Sequence, residues 1–136
     1  MAGTTTFEVL PEQECRRLLA EQEVGRIAFV DGDGFPVVLP VNFVIDGDLI
    51  AVRTDLGTKM AHVPLHKVAF EVDGIDEEAR AGWSVLVQGY GQDVTDAVGR
   101  RYEDLRRRSL STWPPGEKTN WLTVDIATIT GRRVVP

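Results

Sequence analysis

The sequence predicts a mainly β fold, a small antiparallel barrel of about six strands with three short helices. Three observations predict it. Segments rich in Val, Ile and Phe recur along the chain. The breaks between the early ones, "DGDGF" and "DGD", are strong hairpin turns. A long later segment, "GWSVLVQGYGQDVT", carries glycines near its end, where a barrel needs a bulge or a bend.

Taken in order, "LPEQECRRLLAEQ" reads as an amphipathic helix. Leu10, Cys15, Leu18 and Leu19 approximate one stripe, and Pro11 suits a first turn. "VGRIAFV", "PVVLPVNFVI" and "LIAVRT" follow as three strands of an antiparallel meander. Pro40 cannot donate to a ladder, so an edge or a bulge is expected there. "VRTDLGTKMAHV" starts as a strand, turns through Gly57 and enters a short helix. "HKVAFEVDGI" and "GWSVLVQGYGQDVT" are strands, and "DAVGRRYEDLRRRSL" is a helix. On it Glu103 and Arg107 stand four apart in the favourable order, which predicts an exposed ion-pair face. "STWPPGEKT" is a loop. "NWLTVDIATITGRRVVP" closes the chain as a strand with Leu122, Val124 and Ile126 on one face.

At 136 residues the chain fits one domain, 1–136, able to bury a core without staples. Its 43% hydrophobic and 26% charged residues are ordinary for a globular protein. No apolar run reaches membrane-helix length, and "MAGTTTFEVL" lacks the regions of a signal peptide. The one cysteine, Cys15, permits no internal disulfide and reads as a small core hydrophobe, so a cytoplasmic location is the simplest expectation. A net charge of −6 argues against nucleic-acid binding.

Most chemical motifs fail on spacing. His62 and His66 are four apart, but Pro64 breaks the helix between them and no third ligand is near, so no metal site is expected. No G-x-S-x-G accompanies a serine nucleophile, and "DGDG" lacks the following helix of a dinucleotide fingerprint. "VRTDLGTKMAHV" is different. Arg53, Thr54, Thr58 and Lys59 place two cations and two hydroxyls around one turn. A helix start with hydroxyls and cations can hold a phosphate. The same residues also make an ordinary turn capped by Asp55 or Thr58. Spacing alone leaves the two readings level.

Read together, "VGRIAFV…GFPVVLPVNF", "VRTDLGTKMA", "VAFEVD", "GWSVLVQGYG" and "WLTVDIATITGRR" resemble the pyridoxamine 5′-phosphate oxidase-like family. The match is narrower to its short flavin-binding split-barrel members, the type that includes nitroimidazole-resistance proteins. It runs from about Leu10 to Arg133. The resemblance implies a six-stranded antiparallel split barrel that pairs as a homodimer, with flavin mononucleotide (FMN) in a groove at the interface. By position it makes Arg53, Thr58 and Lys59 phosphate contacts and puts Thr54 near the ribityl chain or ring edge. Pro40, Val41 and Asn42 of "PVNF" would line the isoalloxazine. Trp83 and Ser84 of "GWSV" and Trp113 of "WPP" would approach the same groove.

The implied activity is an FMN-dependent oxidoreductase acting on a small molecule, with reduced nicotinamide as electron donor and no essential acid or base. Deazaflavin is the alternative cofactor, haem a more remote one, and a non-catalytic binding module the alternative function. The chain is shorter than a full pyridoxamine phosphate oxidase and offers no match to its substrate-phosphate motif, which disfavours vitamin B6 oxidation. Trp121 is read as core.

Overall fold

The computed structural model describes residues 5–136. Its elements are β1 (Thr6–Leu10), α1 (Glu12–Ala20), β2 (Val24–Val30), β3 (Pro36–Asn42), β4 (Val44–Asp46), β5 (Leu49–Thr54), α2 (Thr58–His62), β6 (Lys67–Asp76), β7 (Ala81–Asp93), α3 (Arg100–Arg106) and β8 (Asn120–Val135). All strand pairings are antiparallel, in the order β3-β2-β6-β7-β8-β5-β4, with β1 added on β8. The mainly β split-barrel class therefore holds. The strand count does not: among the described residues there are eight strands, not six.

Two differences account for the count. The first is β1, within "MAGTTTFEVL", whose residues 1–4 lie outside the described residues. Phe7 and Val9 of β1 are exposed, so it carries no buried face to announce it. Its partner lies at the far end of the chain, with Thr6 opposite Val135 and Leu10 opposite Gly131. Leu10 ends this strand and so does not begin α1, whose buried stripe is Cys15, Leu18 and Leu19.

The second is the run "PVVLPVNFVI", which breaks at Phe43. The Phe43 N–H donates to the Glu23 carbonyl at 3.1 Å, and its ring turns into the core edge-on to Phe70 at 4.8 Å. β3 stays on β2, while β4 crosses to β5 at the opposite end of the sheet. The expected three-strand meander is thus two hairpins, one at each end. "DGDGF" and "DGD" turn them as expected. Pro40 lies on β3, at the end of the strand order, where its missing donor costs nothing.

The main core lies inside the curled sheet and holds Ile27, Phe29, Ile50, Val52, Phe70, Val72, Val85, Val87, Leu122 and Val124, closed at one side by α1. Cys15 is fully buried there. A second cluster of Leu49, Ala51, Val94, Leu105, Leu110 and Trp121 covers the other face of β5. Trp121 is core, as read. Because β5 is buried on both faces, its residues are fixed in register from Leu49 to its end at Thr54. The α3 ion pair differs in detail from the expected one. Arg107 and Arg100 both pair with Asp104, and Glu103 pairs with neither.

The glycines of "QGYG" do what a barrel corner needs. The β7–β8 register shifts at Gln88/Gly89. A Cβ at Gly89 would fall 2.0 Å from the Asp125 carbonyl oxygen. One at Gly91 would fall 2.1 Å from the Val63 carbonyl oxygen. That second close approach lets the segment after α2 dock on β7, through Leu65 N–H to Gly91 O and Gly91 N–H to His66 O, each 2.9 Å.

Candidate functional site

β5 leaves the sheet at Thr54 and α2 begins at Thr58. Gly57 precedes α2 in extended conformation, and neither Asp55 nor Thr58 makes a side-chain capping bond. The capped-turn reading is therefore not what the turn adopts. Beside it lies a groove of about 590 Å³ lined by Val24, Pro40, Val41, Asn42, Arg53, Thr54, Asp55, Lys59, Thr112, Trp113, Pro114, Pro115 and Lys118. Its size is that of a small-molecule site.

Seven of the ten residues expected from the sequence meet there: Pro40, Val41, Asn42, Arg53, Thr54, Lys59 and Trp113. Thr58 is exposed beside the groove but does not line it. Trp83 and Ser84 are elsewhere. They sit on β7 with Glu71, Asp73 and Arg132 around a separate groove. One chain does not bring them to Lys59.

The groove combines two kinds of lining. Arg53, Lys59 and Lys118 give it three cations against one carboxylate, Asp55. The Lys59 ammonium has no hydrogen-bond or salt-bridge partner among the described residues. Lys118 Nζ donates to the Pro115 carbonyl at 3.0 Å and lies 4.0 Å from Asp55. The rest of the lining is proline, valine, an indole, the Asn42 amide and the Thr54 and Thr112 side chains, a surface suited to a flat ring with a polar chain.

Arg53 is not a free grip. Its Nε and Nη2 donate to the Lys118 carbonyl at 3.2 and 3.0 Å, and its Nη1 donates to the Leu110 carbonyl at 3.0 Å. The guanidinium lies 5.7 Å from the centre of the Trp121 ring. Asn42 is 8% exposed, and both its amide nitrogen and its amide oxygen are bonded. Its Nδ2 donates to the Glu23 carbonyl at 3.3 Å, and its Oδ1 accepts the Trp113 N–H at 2.9 Å. The first bond ties down the break at Phe43. The second holds the loop between α3 and β8 across the groove.

Sequence reasoning did not single out Lys118, Val24 or Thr112. No local pattern marks them. Thr112 and Lys118 become walls because Arg53 and Asn42 bond the loop that carries them, and Val24 because β2 pairs it with Asn42. The histidines stay out of the site. His62 stacks on Phe29 at 6.5 Å between ring centres, and His66 Nδ1 is 2.9 Å from the Pro64 carbonyl oxygen. Among the described residues no group of three or more His, Cys, Asp or Glu could hold a metal, and no helix is long and apolar enough to cross a membrane.

On the outer face of the sheet, Val38, Ala28, Ala69, Gln88 and Thr128 stand in one row across five strands. Val30, Val38, Leu86 and Tyr90 are exposed around it. On the same face Arg26 Nη1 donates to Glu71 and Asp73 at 3.2 and 3.1 Å. Burial, reinforced by neighbouring Asp73 and offset by Arg26, raises the Glu71 carboxyl from 4.5 to about 7.

Comparison with known proteins agrees with this architecture. The chain is 33% identical over 134 residues to an uncharacterized protein of Mycobacterium tuberculosis, covering 93% of this chain and 84% of that one. It is similar in structure to an FAD-binding protein from Mycobacterium smegmatis: TM-score 0.69, 29% identity, 94% and 98% of the two chains covered. A candidate pyridoxamine 5′-phosphate oxidase from Corynebacterium glutamicum superposes with TM-score 0.79 at 27% identity, covering 96% of this chain and 100% of that one. The family model described as pyridoxamine 5′-phosphate oxidase matches residues 11–133. With that match over most of its length, and with the split-barrel sheet and its groove beneath β3 and β5, this chain belongs to the pyridoxamine 5′-phosphate oxidase family.

Proposed function

We propose that the protein is a flavin-dependent oxidoreductase that binds FMN in the groove between β5, α2 and the 110–118 loop and acts as a homodimer on a small molecule. The observation that carries this is that one groove gathers three cations and an apolar, aromatic lining. A flavin mononucleotide asks for both, with a dianionic phosphate and a planar ring. Lys59, free of protein partners among the described residues, takes the phosphate, with Lys118 beside it. Thr54, Pro40, Val41 and Trp113 take the ribityl chain and ring. The likeness to an FAD-binding protein at 29% identity supports a flavin as the ligand.

When bound, the flavin supplies hydride and electron transfer, and the protein supplies orientation and charge. No side chain of the groove is needed as an acid or base. Reduced nicotinamide is the proposed electron donor. The exposed Val30, Val38, Leu86 and Tyr90 on the outer sheet face support pairing with a second copy. Trp83 and Ser84, outside the groove of their own chain, are assigned to the other copy's site.

The test is the absorbance spectrum of the purified protein, then mass identification of whatever heat releases. Flavin bands with released FMN are expected. Protein that is colourless and gains no flavin signal on titration with FMN, FAD or deazaflavin overturns the reading, and a Soret band redirects it to haem.

A further inference from the structure

The loop after α3 has no regular structure between Leu110 and Lys118, yet it supplies Thr112, Trp113, Pro114, Pro115 and Lys118 to the groove. A segment of this kind loses backbone entropy at every residue on ordering. Something must hold it. Three of the five Arg53 N–H donors are spent on two carbonyls of this segment, Leu110 at one end and Lys118 at the other. Asn42 holds the middle through the Trp113 N–H at 2.9 Å. Lys118 ties the loop back on itself through Pro115 O at 3.0 Å. Both anchoring side chains come from the sheet side of the groove, and both are fixed themselves. Arg53 lies over Trp121 of the second core, and Asn42 is bonded to Glu23.

We propose that Arg53 is a positioning residue, not a phosphate contact: with Asn42 it straps the 110–118 loop across the groove and so sets the Trp113 wall against which the ring of the ligand lies. This rests on the flavin reading for the ligand, though not for the strap. The two roles make opposite demands on the side chain. A phosphate contact needs mainly a positive charge, which lysine keeps. A strap joining two carbonyls needs the planar fork, which lysine lacks.

The test uses the full-length chain as purified, stripped of flavin, and four variants: Arg53→Lys, Lys59→Ala, Trp113→Ala and the Arg53→Lys/Trp113→Ala double. Hydrogen exchange at the Trp113 amide, read by NMR, reports the strap without any ligand. Quenching of FMN fluorescence reports affinity. Arg53→Lys is expected to speed Trp113 amide exchange about tenfold or more and to weaken FMN about tenfold. Lys59→Ala is expected to weaken FMN and leave the exchange unchanged. Arg53→Lys should cost FMN affinity little more once Trp113 is alanine. Unchanged exchange in Arg53→Lys, or losses of affinity that multiply fully in the double variant, overturns the proposal. If the unaltered chain takes up no FMN, the flavin reading falls, and the exchange arm alone decides whether Arg53 straps the loop.

Discussion

Two residues in "VRTDLGTKMAHV" look equivalent in sequence and part company in the fold. Arg53 is bonded to the chain, whereas Lys59 has no protein partner among the described residues. Lys59→Ala should therefore lose one charge-assisted contact, about 1.5–3 kcal/mol, which is roughly a ten- to hundredfold rise in the FMN Kd. Fluorescence titration checks it, and an unchanged Kd would remove Lys59 from the phosphate site. Gly91 is a second informative position. A Cβ there would lie 2.1 Å from Val63 O and 2.6 Å from a Val63 methyl. Backbone cannot give way as a flexible side chain would. Gly91→Ala should destabilise the protein by about 3 kcal/mol, seen as a lower midpoint in thermal unfolding. It should also loosen the segment that carries α2.

At the scale of elements, the paired acids of β6 make a pH dependence. The folded Glu71 carboxyl sits at about 7, above its ordinary 4.5. The fold thus favours the protonated form. That contribution is fully present below about 4.5 and is lost as pH rises through about 7. The Glu71 side chain is 36% exposed, so solvent screens the effect to about 1 kcal/mol or less. Glu71→Gln should flatten the fall in unfolding midpoint between about pH 5 and pH 8. An equally steep fall in the variant would put the dependence elsewhere. Elements also show where sequence reasoning loses sight of the chain. β6 and β7 were legible because inward Val68, Phe70, Val72, Val85 and Val87 alternate with outward residues. β1 was not, because it pairs at an edge and buries almost nothing until Leu10. The break at Phe43 was hidden inside one β-prone run, since neighbouring β3 and β4 have the same local preference and differ only in partner.

The molecule buries one face of its curled sheet and leaves the other open except where the second cluster covers β5. Apolar Val30, Val38, Leu86 and Tyr90 remain exposed on that open face. A second copy is the partner proposed for it. Light scattering at micromolar concentration should give twice the chain mass, and Ala69→Arg, in the middle of the row, should shift the protein toward monomer with little loss of secondary structure. A monomer for the unaltered chain would count against a cofactor held between two copies.

By itself, the sequence determined the mainly β class, the hairpin turns, the family and most members of the groove. Each of these is written locally, in periodicity, turn chemistry or an ordered set of short motifs. It could not say that β4 leaves β3, that β1 caps β8, that Trp83 and Ser84 lie away from Lys59, or that Arg53 spends its donors on a loop more than fifty residues later in the chain. Those are contacts between distant segments. They are decided by which edges pair and which buried donors find carbonyls once the core has closed, and only the tertiary structure holds that information.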